Sequence, residues 1–214
     1  MFGLSNFSTN VSFASLPLLL PTIISDFGTY DKLTSNGLSA PPYFLSFFLI
    51  IGTSFLSDRF KVRGPFAAFF AALGAVGYII MATATSVAAR YVGCFLIVTL
   101  FVTVAIVLTW NANTNENESK RAGGVWIIQC VGQCGTVLGT NSFPAKQAPY
   151  YHRGMWTGFG FSLLSCIICS TLSFLLWREN KRRDAKYGKV SRTVMEEDEN
   201  DSSLPPEARF RYII

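Results

Sequence analysis

Charge is what this chain of 214 residues has least of. Asp, Glu, Lys and Arg make up 14% of it, against about 25% in an ordinary soluble domain, so there is little material for a water-facing surface. The charges present are segregated: between Ser39 and Trp177 they fall only at 58–63, at Arg90, at 116–121 and at 146–153. No long apolar stretch has a charged residue or histidine near its centre, which excludes intramembrane proton relays and voltage sensors from those stretches. The single histidine, His152, is distant in sequence from all five cysteines, so a metal cluster is not expected. The opening Met1-Phe2-Gly3-Leu4-Ser5-Asn6 has no basic region, and no cleavable signal peptide is expected. Strict apolar/polar alternation is also missing, as in Phe66-Ala67-Ala68-Phe69-Phe70-Ala71-Ala72-Leu73, which excludes a membrane barrel.

Apolar residues are plentiful, at 50%, and mean hydropathy is +0.35. They form six runs at about 3–25, 39–57, 64–84, 91–110, 123–143 and 154–177, each near the ~20 residues that cross a bilayer as a helix. The expected fold class is therefore an all-α integral membrane protein with a six-helix domain over 1–177 and a cytoplasmic, largely disordered tail over 178–214. Cys94, Cys130, Cys134, Cys166 and Cys169 all lie within the runs and read as small packing residues. The bias of Lys and Arg sets the orientation. With both termini cytoplasmic, the inner segments hold Arg59, Lys61, Arg63, Lys120, Arg121 and the basic run Arg178–Arg192. The outer loops then hold only Lys32, Arg90, Lys146 and Arg153. In that topology none of the sequons at Asn6, Asn10, Asn117 and Asn200 carries glycan. The tail turns acidic at Glu196–Asp201. Its basic part can lie against anionic headgroups, at about 1 kcal/mol per residue, or act as a stop signal before disorder; the second is the expectation. The net charge of +5 gives no reason to expect a nucleic-acid partner.

Polar residues inside the runs are the functional candidates. In the first run Ser8, Ser12 and Ser15 share a face, and Asn6 and Asn10 form an i, i+4 amide pair. In the fifth, Gln129, Gln133, Thr136 and Thr140 fall at i, i+4, i+7 and i+11, one helical face, with Gly124, Gly132, Gly135 and Gly139 around it. Amides cannot face lipid cheaply. They are either glue between helices, at roughly 0.6 kcal/mol each on average, or the wall of a polar cavity, and both readings stay open for Gln133. Trp110-Asn111 closes the fourth run, where a Trp suits the interfacial aromatic belt and the pairing with Asn keeps a cavity role open. The dense charge motif Ser57-Asp58-Arg59-Phe60-Lys61-Val62-Arg63-Gly64-Pro65 sits between the second and third runs. Pro65 fits the first turn of the following helix.

Asp58-Arg59 with the basic cluster after it resembles the cytoplasmic loop motif of the major facilitator superfamily, in the copy between its eighth and ninth helices. It departs from that motif at Ser54, where a glycine precedes the aspartate by four residues, and at Lys61, where an internal glycine is usual. Leu19–Ile24, Leu38–Tyr43, Lys120-Arg121-Ala122, Gln133-Cys134-Gly135, Leu138-Gly139-Thr140, Ala148–Tyr151 and Phe210-Arg211-Tyr212 resemble the fungal allantoate and nicotinate permease branch, the anion:cation symporters. The resemblance aligns the chain with helices seven to twelve, one half of that fold. It implies transport of a small organic anion or related polar metabolite by alternating access. Asn6, Asn10, Trp110, Asn111, Gln129 and Gln133 would contact solute, while Asp58, Arg59 and Arg63 would gate. The implied partners are the solute, the bilayer (plasma membrane expected) and a missing N-terminal half or a second copy. No cofactor is implied, and no titrating group for coupling lies in these spans. The alternative is a non-transporting truncated or regulatory six-helix membrane protein. Enzyme activity is not expected, because no nucleophile–base pair is visible.

Overall fold

The computed structural model describes residues 1–14, 20, 21, 24, 32–114, 118–144 and 151–187. Within these residues the chain is helical and no strand occurs: α1 Phe2–Phe13, α2 Lys32–Phe60, α3 Gly64–Thr83, α4 Val87–Val98, α5 Leu100–Thr114, α6 Glu118–Asn141 and α7 His152–Tyr187. Five helical stretches are long and apolar enough to cross a membrane: Leu33–Phe60, Gly64–Thr83, Val87–Thr114, Arg121–Asn141 and His152–Lys186. Of the expected first span, α1 is described together with Leu20 and Ile24, which are buried in the core. Ser15, Asn117, Lys146, Ala148-Pro149-Tyr150, the acidic block, Asn200 and Phe210-Arg211-Tyr212 lie outside the described residues.

The apolar runs set where the helices form, and local chemistry sets their ends. α2 begins earlier than its apolar run and holds Pro41 and Pro42 inside the helix. Prolines are tolerated in membrane helices because neighbours re-satisfy the freed carbonyls. It ends in a Schellman motif: Val62 N–H donates to Ser57 O at 3.2 Å and Lys61 N–H to Asp58 O at 3.3 Å. Lys61 is then left-handed, at φ 54°, the backbone state that glycine adopts without strain. Pro65 follows in the first turn of α3.

The fourth span is broken at Thr99, which separates α4 from α5. Its N–H and Oγ1 both bond Leu96 O, at 3.2 and 2.6 Å. Ser86 caps α4 by accepting from Ala89 N–H at 3.2 Å. Arg90, placed by sequence in an outer loop, is instead buried in α4 and donates from Nε to Ala84 O at 2.8 Å, at the C-terminal end of α3. A cation there offsets the unpaired carbonyls. α7 continues past Trp177 through 178–187, so the start of the tail extends the last helix.

Helices α3 and α7 run antiparallel with small residues at the seam. A Cβ on Gly64 would lie 2.6 Å from Ser173 Cβ, and one on Gly158 would meet the Tyr78 ring at 2.5 Å. One core cluster surrounds Tyr78, Met81, Cys94, Ile97 and Leu100. A second surrounds Ala67, Phe70, Val102, Ile106 and Cys169, nearer the α2–α3 turn. α1 lies among α5, α6 and α7, which is why a helix so rich in Ser and Asn is buried from Ser5 to Ser12 except at Phe7.

Candidate functional site

The α1–α6 seam gathers the amides. Ile128, Gly132, Gly135 and Gly139 share one buried face of α6. There the α1 backbone comes so close that a Cβ on Gly135 would stand 2.5 Å from Phe7 O, and one on Gly139 would collide with Val11 O. Only glycine allows that approach. Asn6, fully buried, donates from Nδ2 to Ile128 O at 3.1 Å and to Gln129 Oε1 at 3.2 Å. Its Oδ1 accepts no hydrogen bond. The Asn10 amide is buried over Gly132, where a Cβ would be 2.6 Å from Nδ2.

The predicted stripe on α6 lies one residue round from the glycine face, a rotation of about 100°. It therefore grades from half-buried Gln129 to exposed Gln133 and Thr140. Gln133 Oε1 accepts from Thr136 Oγ1 at 3.3 Å, a contact within the same helix. The amides thus divide: Asn6 and Gln129 are bonded to each other, Asn10 lies beside them, and Gln133 is presented outward one turn on.

The serine face of α1 meets α7. Thr9 Oγ1 and Ser165 Oγ are 2.7 Å apart, Ser12 Oγ donates to Gly158 O at 3.0 Å, and Ser5 Oγ lies 3.1 Å from Cys169 Sγ. Tyr78 OH also donates to Ser12 O. Sequence reading named Ser8 and Ser12 as a polar face and Cys169 as a packing residue, but gave no role to Ser5, Thr9 or Ser165. The available signal was Ser162, Ser165, Cys169 and Ser173 at i, i+3, i+7 and i+11 on α7. All five cysteines are unpaired: Cys94 and Cys169 are buried, as packing residues should be, whereas Cys130 and Cys134 are exposed on α6.

The charged motif forms a second cluster. Arg63 Nη2 and Asp58 Oδ1 are 2.5 Å apart, with the Arg63 side chain 10% exposed and that of Asp58 62%. With its amide oxygen turned towards the guanidinium, Asn113 at the end of α5 accepts from Nη2 and Nη1 at 2.8 and 3.0 Å. Arg63 therefore ties the α2–α3 turn to α5, and Asn113 is a member that sequence reading missed. Arg59 does not join them. It is exposed in the last turn of α2, where it complements the helix dipole. Trp110 departs from the aromatic-belt expectation: it is fully buried, edge-on to Phe2 with centroids 5.2 Å apart and close to Gly64. Asn111 is buried beside it. Glycine at position 64 leaves room for the indole, so the tryptophan moves from the interface into the core.

Among the described residues no group of His, Cys, Asp and Glu could hold a metal ion. The chemistry the seam offers is hydrogen bonding by neutral amides and hydroxyls. Comparison with known proteins finds transporters. An uncharacterized transporter of Schizosaccharomyces pombe is 32% identical over 76% of this chain. The MFS-type transporter cnsO of Penicillium expansum is 28% identical over 79%. The high-affinity nicotinic acid transporter of Saccharomyces cerevisiae is 25% identical over 96%.

This chain is similar to part of fungal transporters of the major facilitator type. It covers 33%, 34% and 39% of those three relatives' lengths, about a third of each. They are named as transporters and not as enzymes. No family model matches the chain, and no solved structure does. The all-helical architecture, with five membrane-length helices among the described residues, is consistent with one half of a major facilitator fold.

Proposed function

We propose that this chain forms the C-terminal six-helix half of an alternating-access permease for a small organic anion or related polar metabolite, of the carboxylate, vitamin or allantoate kind. The observation that carries the reading is the outward exposure of Gln133 and Thr140 on a helix long enough to span the membrane. An amide pointed at hydrocarbon would lose its hydrogen bonds, so this face requires protein or a water-filled cavity opposite it. A second six-helix unit, either an N-terminal half or another copy of this chain, supplies both. The relative named as a nicotinic acid transporter supports the anionic solute class.

Gln133 contacts solute in this reading. Asn6, Asn10 and Gln129 hold the seam behind it, with Asn6 Oδ1 open to a donor. Trp110 and Asn111 position α1 from behind. The Asp58–Arg63–Asn113 cluster holds the cytoplasmic end of the bundle, with Arg59 at its rim. Both termini are cytoplasmic, and the membrane is the plasma membrane.

Uptake of labelled nicotinate in cells without endogenous permeases tests the proposal. Uptake is expected when this chain is co-expressed with an N-terminal six-helix half, and a Gln133→Ala change should cut it at least tenfold. If neither the chain alone nor the co-expressed pair moves any small organic anion above background, the non-transporting alternative holds.

A further inference from the structure

A groove of about 720 Å³ runs along the outer seam of α3 and α7, away from the amides. Ala68, Phe69 and Ala72 line one wall, and Cys166, Phe174 and Trp177 line the other. From Cys166 to Trp177 it extends about 16 Å along α7 at 1.5 Å per residue, close to half of a bilayer core of about 30 Å. It is thus one leaflet deep. Its walls are almost wholly apolar, and it ends at Trp177, level with the N-terminus of α3, where Gly64 abuts Ser173.

Above that end the helix changes character without stopping. Lys181, one turn beyond Trp177, holds its Nζ 4.0 Å from the indole centroid, and Arg178 is exposed next to Trp177. The carboxylates nearby are engaged elsewhere. Glu179 Oε2 lies 3.8 Å from Arg182 Nη1, and its Oε1 lies 3.6 Å from Arg183 Nε. Asp184, half-buried, sits one turn further from the groove and has interactions of its own. An apolar channel one leaflet deep, closed by an interfacial Trp and topped by two exposed cations, complements one kind of occupant.

We propose that this groove binds an anionic phospholipid, with an acyl chain between α3 and α7 and its phosphate at Lys181 and Arg178. A zwitterionic lipid would fill the channel equally well but leave the cations without net charge compensation. The rigid extension of α7 through Tyr187 is what holds them at headgroup height.

Fluorescence quenching of the full chain in nanodiscs tests this, using dibrominated phosphatidylserine or dibrominated phosphatidylcholine at equal mole fraction. The Trp177→Phe variant isolates the Trp177 contribution from those of Trp110, Trp126 and Trp156. Phosphatidylserine should quench Trp177 at least threefold more effectively than phosphatidylcholine. A paired Arg178→Gln, Lys181→Gln change should equalise the two lipids, while Arg182→Gln should leave the preference intact. Equal quenching by both lipids in the unaltered chain overturns the proposal without reliance on any variant. So does a preference that survives the paired change, or one that Arg182→Gln removes as fully, since that marks a diffuse basic surface.

Discussion

Arg63 and Gln133 show how two polar residues in one bundle come to do different work. Arg63 is buried and held by Asp58 and Asn113 together, so removing it strands acceptors as well as a charge. The Asp58 side is mostly exposed, and exposed ion pairs contribute about 0–1 kcal/mol. In purified chain, thermal unfolding should therefore show Asp58→Asn costing under about 1 kcal/mol and Arg63→Gln about 1–3 kcal/mol. Equal costs would mean that Asn113 takes no part. For Gln133, whose side chain bonds only within its own helix, Gln133→Ala should leave the melting temperature unchanged. Asn6→Ala, which removes bonds to both Ile128 and Gln129, should lower it. The two substitutions separate helix glue from presentation outward, a distinction that their shared amide chemistry hides in the sequence.

At the scale of an element, the α1–α6 seam depends on the absence of side chains. A methyl group at Gly135 meets the Phe7 carbonyl at 2.5 Å, backbone that cannot step aside, whereas nothing lies within 4 Å of a Cβ at Gly52 or Gly123. Gly135→Ala should destabilise the bundle by about 1–3 kcal/mol through overpacking. Gly123→Ala should be neutral or stabilise it by up to about 1 kcal/mol, the helix-propensity gain. Denaturation of the three chains in detergent checks this, and the same sign for both glycines would argue against the close seam. Sequence reading placed the glycines beside the glutamines but could not say which face turned inward. A register one residue apart moves a side chain by about 100° on the helix, and only the partner helix chooses between them. The break at Thr99 was likewise invisible, because Leu96, Thr99 and Val102 read as ordinary span residues until Thr99 is seen bonding back to Leu96.

For the whole molecule, the α2–α3 turn, the end of α5 and the start of the α7 extension share one end of the bundle, as Gly64 against both Ser173 and Trp110 requires. In the proposed topology, which rests on the Lys/Arg bias, that end lies in the cytoplasm. A membrane-impermeant maleimide should accordingly label Lys61→Cys only after cells are permeabilised and Ser86→Cys in intact cells, with Cys130 and Cys134 replaced by Ser to lower background. The opposite pattern would invert the topology and move the proposed lipid site to the outer leaflet.

The sequence by itself determined that the chain is helical and membrane-spanning, and where most of its long apolar helices lie. Scarce charge and long apolar runs leave no other way to satisfy backbone hydrogen bonds in lipid. It also determined the start of α3, because Pro65 suits the first turn of a helix, where its missing N–H is not needed. What only the tertiary structure decided is which polar groups meet. Asn6 with Gln129, Arg63 with Asn113, Arg90 with Ala84 and the burial of Trp110 are all contacts between helices. A periodic pattern names the residues on a face, but the neighbour that covers the face is set by the packing of all the helices at once.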